Sequence, residues 1–101
     1  MVLQDYEWKT TFRMDFTIAD SIGGVDDIRD TYKRGLEFAT SKAEYYAEFV
    51  LVLNWKIWEW FEKDEKIARV YQDLWEQADM GIEKYFKGDD KSIAYIYDFL
   101  D

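Results

Sequence analysis

The side chains in this sequence that can do chemistry are carboxylates and little else. Asp26, Asp27 and Asp30 fall together, and Glu59, Glu62, Asp64 and Glu65 form a second group. Oxygen ligands of this kind suit Mg²⁺ or Ca²⁺. Neither group has the alternating spacing of an EF-hand loop, so a solvated face with helix caps is the plainer expectation. The chain contains no His and no Cys. That removes the usual neutral-pH base, the Ser-His-Asp and Cys-His arrangements, and the common zinc and di-iron ligand sets. Gly23-Gly24 runs into Val25-Asp26-Asp27, without the lysine or the glycine spacing of a phosphate loop. Paired acids for glycoside hydrolysis need a sugar cleft, which a small helical body rarely offers. No catalytic residue, no metal ligand and no cofactor is expected, and the chain reads as a non-enzyme.

What stands out instead is aromatic surface. The 101 residues include five Trp, eight Tyr and seven Phe, enough for a core of large flat side chains. The expected fold is all-α and a single domain over 1–101. It has a compact three-helix core, a short C-terminal helix and an N-terminal arm. Residues 1–14 form the arm, extended or as a short helix laid on the body, and 15–101 form the helical body. Thr17 is expected to cap a short turn over 18–22 that ends at Gly23. Val25, Ile28, Tyr32, Leu36 and Ala39 have the spacing of one helix face. Ser41 and Glu44 form a capping box for a second helix, to about Glu62, with an inner face that includes Tyr46, Phe49, Leu53, Ile57, Trp60 and Phe61. Asp64 caps a third helix to about Phe86, with Ile67, Tyr71, Leu74, Ala78, Ile82 and Tyr85 facing in. Asp89 or Asp90 caps the last, with Ile93, Ile96, Tyr97 and Leu100 facing in.

The second helix is so apolar that its polar stripe shrinks to Glu44, Glu48, Glu59 and Glu62. Leu51 and Trp55 fall beside that stripe on the helical wheel. They need a cover, either the arm, through Trp8 or Phe12, or a partner. Trp60, Trp75 and Trp58 read as core. A tryptophan ringed by charge is a common interface anchor. Leu51, Trp55, Glu59 and Trp8 are therefore the candidate protein-binding residues.

The net charge is −9 and every segment carries more acids than bases. That disfavours direct contact with nucleic acid or an anionic membrane. The first ten residues lack a basic start followed by an apolar run, and no apolar stretch is long enough for a membrane span. A cytoplasmic protein is expected.

Several strings carry a resemblance. Met14-Asp15-Phe16-Thr17-Ile18-Ala19-Asp20, Asp30-Thr31-Tyr32-Lys33-Arg34, Val52-Leu53-Asn54-Trp55-Lys56-Ile57-Trp58 and Leu74-Trp75-Glu76-Gln77-Ala78-Asp79 resemble a domain-of-unknown-function family. That family is associated with small proteins of gut bacteria, their phages and other mobile elements, and the resemblance spans roughly Phe12 to Gly88. It implies no activity and no site residues. It implies a setting, in which small accessory proteins bind and modulate a host protein.

Three roles follow as expectations. The leading one is a non-enzymatic protein-binding module, a phage or mobile-element accessory protein that modulates a host protein of unknown identity. The alternative is an acidic nucleic-acid mimic, of the anti-CRISPR or anti-restriction type, which needs its acids gathered on one face. The third is a homo-oligomeric structural protein, commonly a dimer, in which a second subunit covers the apolar helix.

Overall fold

With no proline, only glycines and caps divide the chain, and among the described residues they mark off five α-helices. The computed structural model describes residues 8–101. The helices are α1 Trp8–Ile18, α2 Val25–Ala39, α3 Ala43–Phe61, α4 Glu65–Tyr85 and α5 Asp90–Leu100, with a π-helical turn, Ala19–Gly23, carrying α1 onward. No strand occurs among the described residues. The Cα radius of gyration is 13.5 Å, that of a folded chain of this length; an unfolded one spreads to about 30 Å.

α3 lies at the centre. It packs against α4, α5, α1 and α2. From Tyr45 to Ile57 it shows no exposed residue. The core draws on every helix: Phe12 and Phe16 of α1, Ile28 and Tyr32 of α2, Phe49 and Leu53 of α3, Tyr71, Leu74 and Ile82 of α4, and Ile96 of α5 are all buried in one cluster.

Residues 1–7 lie outside the described residues. From Trp8 onward the chain is a helix laid on the body, one of the two expected forms of the arm, and it continues past residue 14 to Ile18 with Phe12 and Phe16 turned inward. Two close approaches set the helix spacing. A Cβ on Gly35 would lie 2.6 Å from Cε1 of Phe49, and one on Gly81 would lie 2.5 Å from the hydroxyl of Tyr46. These glycines let α2 and α4 come down onto α3.

The ends of the helices only partly follow the sequence reading. Asp64 accepts from the Lys66 amide at 3.0 Å and Asp89 from the Ser92 amide at 3.1 Å, as expected of N-caps. The Ser92 side chain and amide hold the Asp89 carboxyl below its usual range. The Ser41 capping box does not form. The Ser41 hydroxyl donates back to the Phe38 carbonyl at 2.6 Å, and Lys42 precedes α3 without a side-chain cap. Thr17 caps nothing. α1 runs straight through it into the π-turn, which the Gly24 amide closes by donating to Ala19 O, five residues back, at 3.0 Å. Gly24 has φ +110°, a conformation open to glycine and strained for other residues.

Several residues expected inside are exposed: Trp58, Phe61, Tyr85 and Tyr97. For Trp58 and Phe61 the cause lies in helix lengths. The last residues of α5 stand beside Leu51 and Asn54, so α5 stops before the final turn of α3, where Trp58 and Phe61 stand.

Candidate functional site

The four candidate residues do not share one surface. Trp8 is pinned at the start of α1. Its ring lies 4.6 Å from that of Phe38 and 5.4 Å from that of Tyr45, between the end of α2 and the start of α3. It does not reach over Trp55. Leu51 faces the other flank of α3, in a groove shared with Trp75, Tyr97 and Leu100. Only Trp55 and Glu59 meet α1. The Lys9 ammonium and the Arg13 guanidinium lie 5.8 and 5.7 Å from the centre of the Trp55 ring. The cover expected from Trp8 or Phe12 thus comes from two cations and from the aliphatic side of the same helix. The Lys9 amide donates to Glu48 at 2.6 Å, which ties the α1 N-terminus to α3.

Glu59 belongs to an enclosed polar cluster that the sequence reading missed. Lys56 is fully buried. Its ammonium donates to Oδ2 of Asp20 at 2.8 Å, to Oε2 of Glu59 at 2.8 Å and to the Thr17 hydroxyl at 3.2 Å. Asp20 Oδ2 also accepts from Trp60 Nε1 at 3.0 Å and from the Tyr71 hydroxyl at 2.7 Å. Arg13 reaches Glu59 from outside at 3.5 Å. Burial, and next the bond to Asp20, push the Tyr71 phenol well above its usual range. A buried lysine with an open cavity is a candidate nucleophile. Here all three donors of the ammonium are engaged, two of them by carboxylates, and the head is enclosed, so the arrangement holds the π-turn to α3.

The register carried a signal for this cluster. Leu53, Lys56 and Trp60 follow the inner-face spacing of α3, and a cation at such a position requires a buried carboxylate. Asp20 could not be named as that carboxylate, because its position depends on the π-turn.

The other carboxylates have local duties. Asp30 pairs with Arg34, and Glu65 pairs with Arg69 at 3.2 Å. Asp27 folds back against Gly23, where an added Cβ would collide with its carboxylate. Among the described residues no group of three or more Asp or Glu side chains is placed to hold a metal ion.

The exposed aromatics mark a different place. Trp58 is 66% exposed and Phe61 59% exposed, with their rings 5.7 Å apart. They stand over a groove between α3 and α4, of about 530 Å³, that Ile57, Ala68 and Trp75 line. Through Asn54 and Trp75 it continues into the groove beside Leu51. Glu65, Asp79 and Asp101 line the pair of grooves, and the one cation among their described lining residues, Arg69, is the partner of Glu65.

No family model matches the chain, and no curated protein and no solved structure matches it.

Proposed function

We propose that this chain is a non-enzymatic protein-binding module that docks another protein in the α3–α4 groove. The carrying observation is the exposed Trp58–Phe61 pair at the end of a helix that shows no exposed residue from Tyr45 to Ile57. Large aromatics left bare beside a groove mark recognition surfaces. The occupant is a partner segment with an apolar or aromatic anchor and basic flanks. The anchor fits between Trp58, Phe61 and Trp75, and the flanks answer Glu65, Asp79 and Asp101. The resemblance supplies the setting of this proposal, an accessory protein of a phage or mobile element acting on a host protein in the cytoplasm.

The two other roles have less behind them. A nucleic-acid mimic needs one acidic face, and the Asp30–Arg34 and Glu65–Arg69 pairs set cations among the acids of α2 and α4. Obligate self-assembly drew its support from an uncovered apolar helix, and α1 and α5 cover that helix within the chain.

Capture of a partner from host lysate by the tagged chain, at low and high salt, tests the proposal. The captured protein is then purified and its affinity measured against variants. Binding that survives high salt and drops in Trp58→Ser and Phe61→Ser supports aromatic docking. Binding that high salt abolishes, and that these variants leave unchanged, overturns it in favour of the mimic.

A further inference from the structure

The proposed docking groove offers more than apolar surface. Asn54 of α3 and Trp75 of α4 line both of its halves, so they stand where the two meet. Both residues are partly exposed. Among the described residues neither the Asn54 amide nor the Trp75 indole N–H has a hydrogen-bond partner, and no buried side-chain nitrogen or oxygen lacks one, so both groups open to solvent. An indole N–H can only donate, and an asparagine amide adds two more donors. The middle of the groove is thus a set of hydrogen-bond donors framed by aromatic rings, with Trp58 and Phe61 toward one end and Tyr97 toward the other.

The ends differ in charge. Glu65, beside the Phe61 end, is paired with Arg69, whereas Asp79 and Asp101 line the Leu51 end. Between Leu51 and Phe61 the groove follows α3 for about 15 Å, at the helical rise per residue. A helix laid there keeps its backbone bonds to itself. Its apolar face would strip water from the donors and give them nothing in return. A strand joins a sheet edge, and no strand occurs among the described residues. A polyproline II segment has the opposite character. Its carbonyls are free to accept, its prolines have no N–H to satisfy, and about five residues span the length at about 3.1 Å each. Aromatic grooves suit such segments, which arrive already extended and lose little entropy on docking.

We infer that the α3–α4 groove docks a proline-rich polyproline II segment of the partner protein. Its carbonyls accept from Asn54 and Trp75, its prolines lie on Trp58, Phe61 and Trp75, and an arginine or lysine at one end is set toward Asp79 and Asp101. The inference rests on the proposed use of this groove and narrows its occupant.

The test is a nuclear magnetic resonance titration of the full chain with three synthetic 12-residue peptides. One is proline-rich with two arginines at one end. The second has the same prolines with glutamates in place of the arginines. The third is a leucine-faced helix former with the same arginines. The indole N–H signals of Trp58 and Trp75 and the side-chain amide of Asn54 report on the groove. The arginine–proline peptide is expected to move all three, and to bind about tenfold more tightly than the helix former, the scale of donors left unpaired. The glutamate version is expected to bind more weakly, by a margin that shrinks as salt rises. Asn54→Leu is expected to weaken the arginine–proline peptide about fivefold, the scale of one hydrogen bond. Purely apolar contact predicts that this variant binds as well as the parent or better, and that result overturns the inference. So does a helix former or a glutamate version that moves the three signals at least as strongly, although the groove then remains a docking site. If no peptide moves them, while Trp58→Ser and Phe61→Ser still weaken the partner captured from lysate, the inference fails alone. If those variants bind that partner unchanged, the inference and the docking proposal fail together. Shifts that follow the concentration of the free chain mean that a second copy fills the groove, and they also overturn the inference.

Discussion

Lys56 and Asp20 form an ion pair that solvent does not reach: Nζ and Oδ2 are 2.8 Å apart, and the two side chains are 0% and 1% exposed. They come from elements 36 positions apart in sequence. The pair joins the π-turn after α1 to the middle of α3. It survives burial because each charge has further partners: Thr17 and Glu59 for the lysine, Tyr71 and Trp60 for the aspartate. No buried polar side-chain atom lacks a partner among the described residues.

Removing one member should therefore be costly. Lys56→Met leaves Asp20 buried with a charge that only neutral donors answer. A loss of about 3–5 kcal/mol is expected in urea unfolding, as for other broken buried pairs. The double variant Asp20→Asn/Lys56→Met should lose clearly less than the sum of the single losses. Additive losses would show that the two groups are not coupled.

The buried phenols make the fold sensitive to alkali. Burial, and next the charge of Tyr85, push Tyr32 up to about 12. Burial pushes Tyr46 and Tyr71 higher still. In the unfolded chain these groups ionise near 10. The folded values lie above the unfolded ones, so their contribution is intact below about pH 10 and is lost as pH rises toward and through 12, at about 1.4 kcal/mol per pH unit for each phenol. Urea midpoints measured from pH 8 to 12 should be level and then fall. Tyr32→Phe should make the fall shallower. An unchanged slope in that variant would mean Tyr32 titrates alike in both states.

Gly35 and Gly81 should reverse the usual rule for helical glycine. At an exposed site, Gly→Ala gains up to about 1 kcal/mol. Here the added methyl meets Phe49 or the Tyr46 hydroxyl, both in fully buried side chains. Gly35→Ala and Gly81→Ala should each lose about 1–3 kcal/mol by overpacking, read as a lower melting temperature. A rise in melting temperature would mean that α2 or α4 has room to back away.

The sequence shows the helices more plainly than their surroundings. Val25–Ala39 and the caps at Asp64 and Asp89 follow from apolar spacing and local carboxylates, and both signals act within a turn or two. The Ser41 box fails because the Ser41 hydroxyl finds the Phe38 carbonyl first, a competition that depends on how α2 ends. Trp58 and Phe61 are misread for another reason. A helical wheel gives the direction of a side chain but not the length of the helix that would cover it. The Trp55 environment falls between these cases. Its need for a cover follows from the wheel, whereas the identity of that cover, Lys9 and Arg13 of α1, depends on a helix that the first fourteen residues only weakly announce.

Trp55 and Trp58 should consequently exchange the roles their surroundings in sequence suggest. Trp58→Ala removes a ring that is mostly in solvent, so stability should stay within about 0.5 kcal/mol of the parent. Trp55→Ala removes the floor under α1 and the ring that Lys9 and Arg13 lie against, so a loss of about 1–3 kcal/mol is expected. Urea unfolding of the two variants separates them. Acrylamide quenching gives an independent reading, because Trp58 is the most exposed of the described tryptophans and the others are only partly exposed, so quenching should fall more without Trp58 than without Trp55. If Trp58→Ala instead destabilised the fold as much as Trp55→Ala does, the end of α3 would be packed within the domain. The α3–α4 groove would then lose its anchor pair.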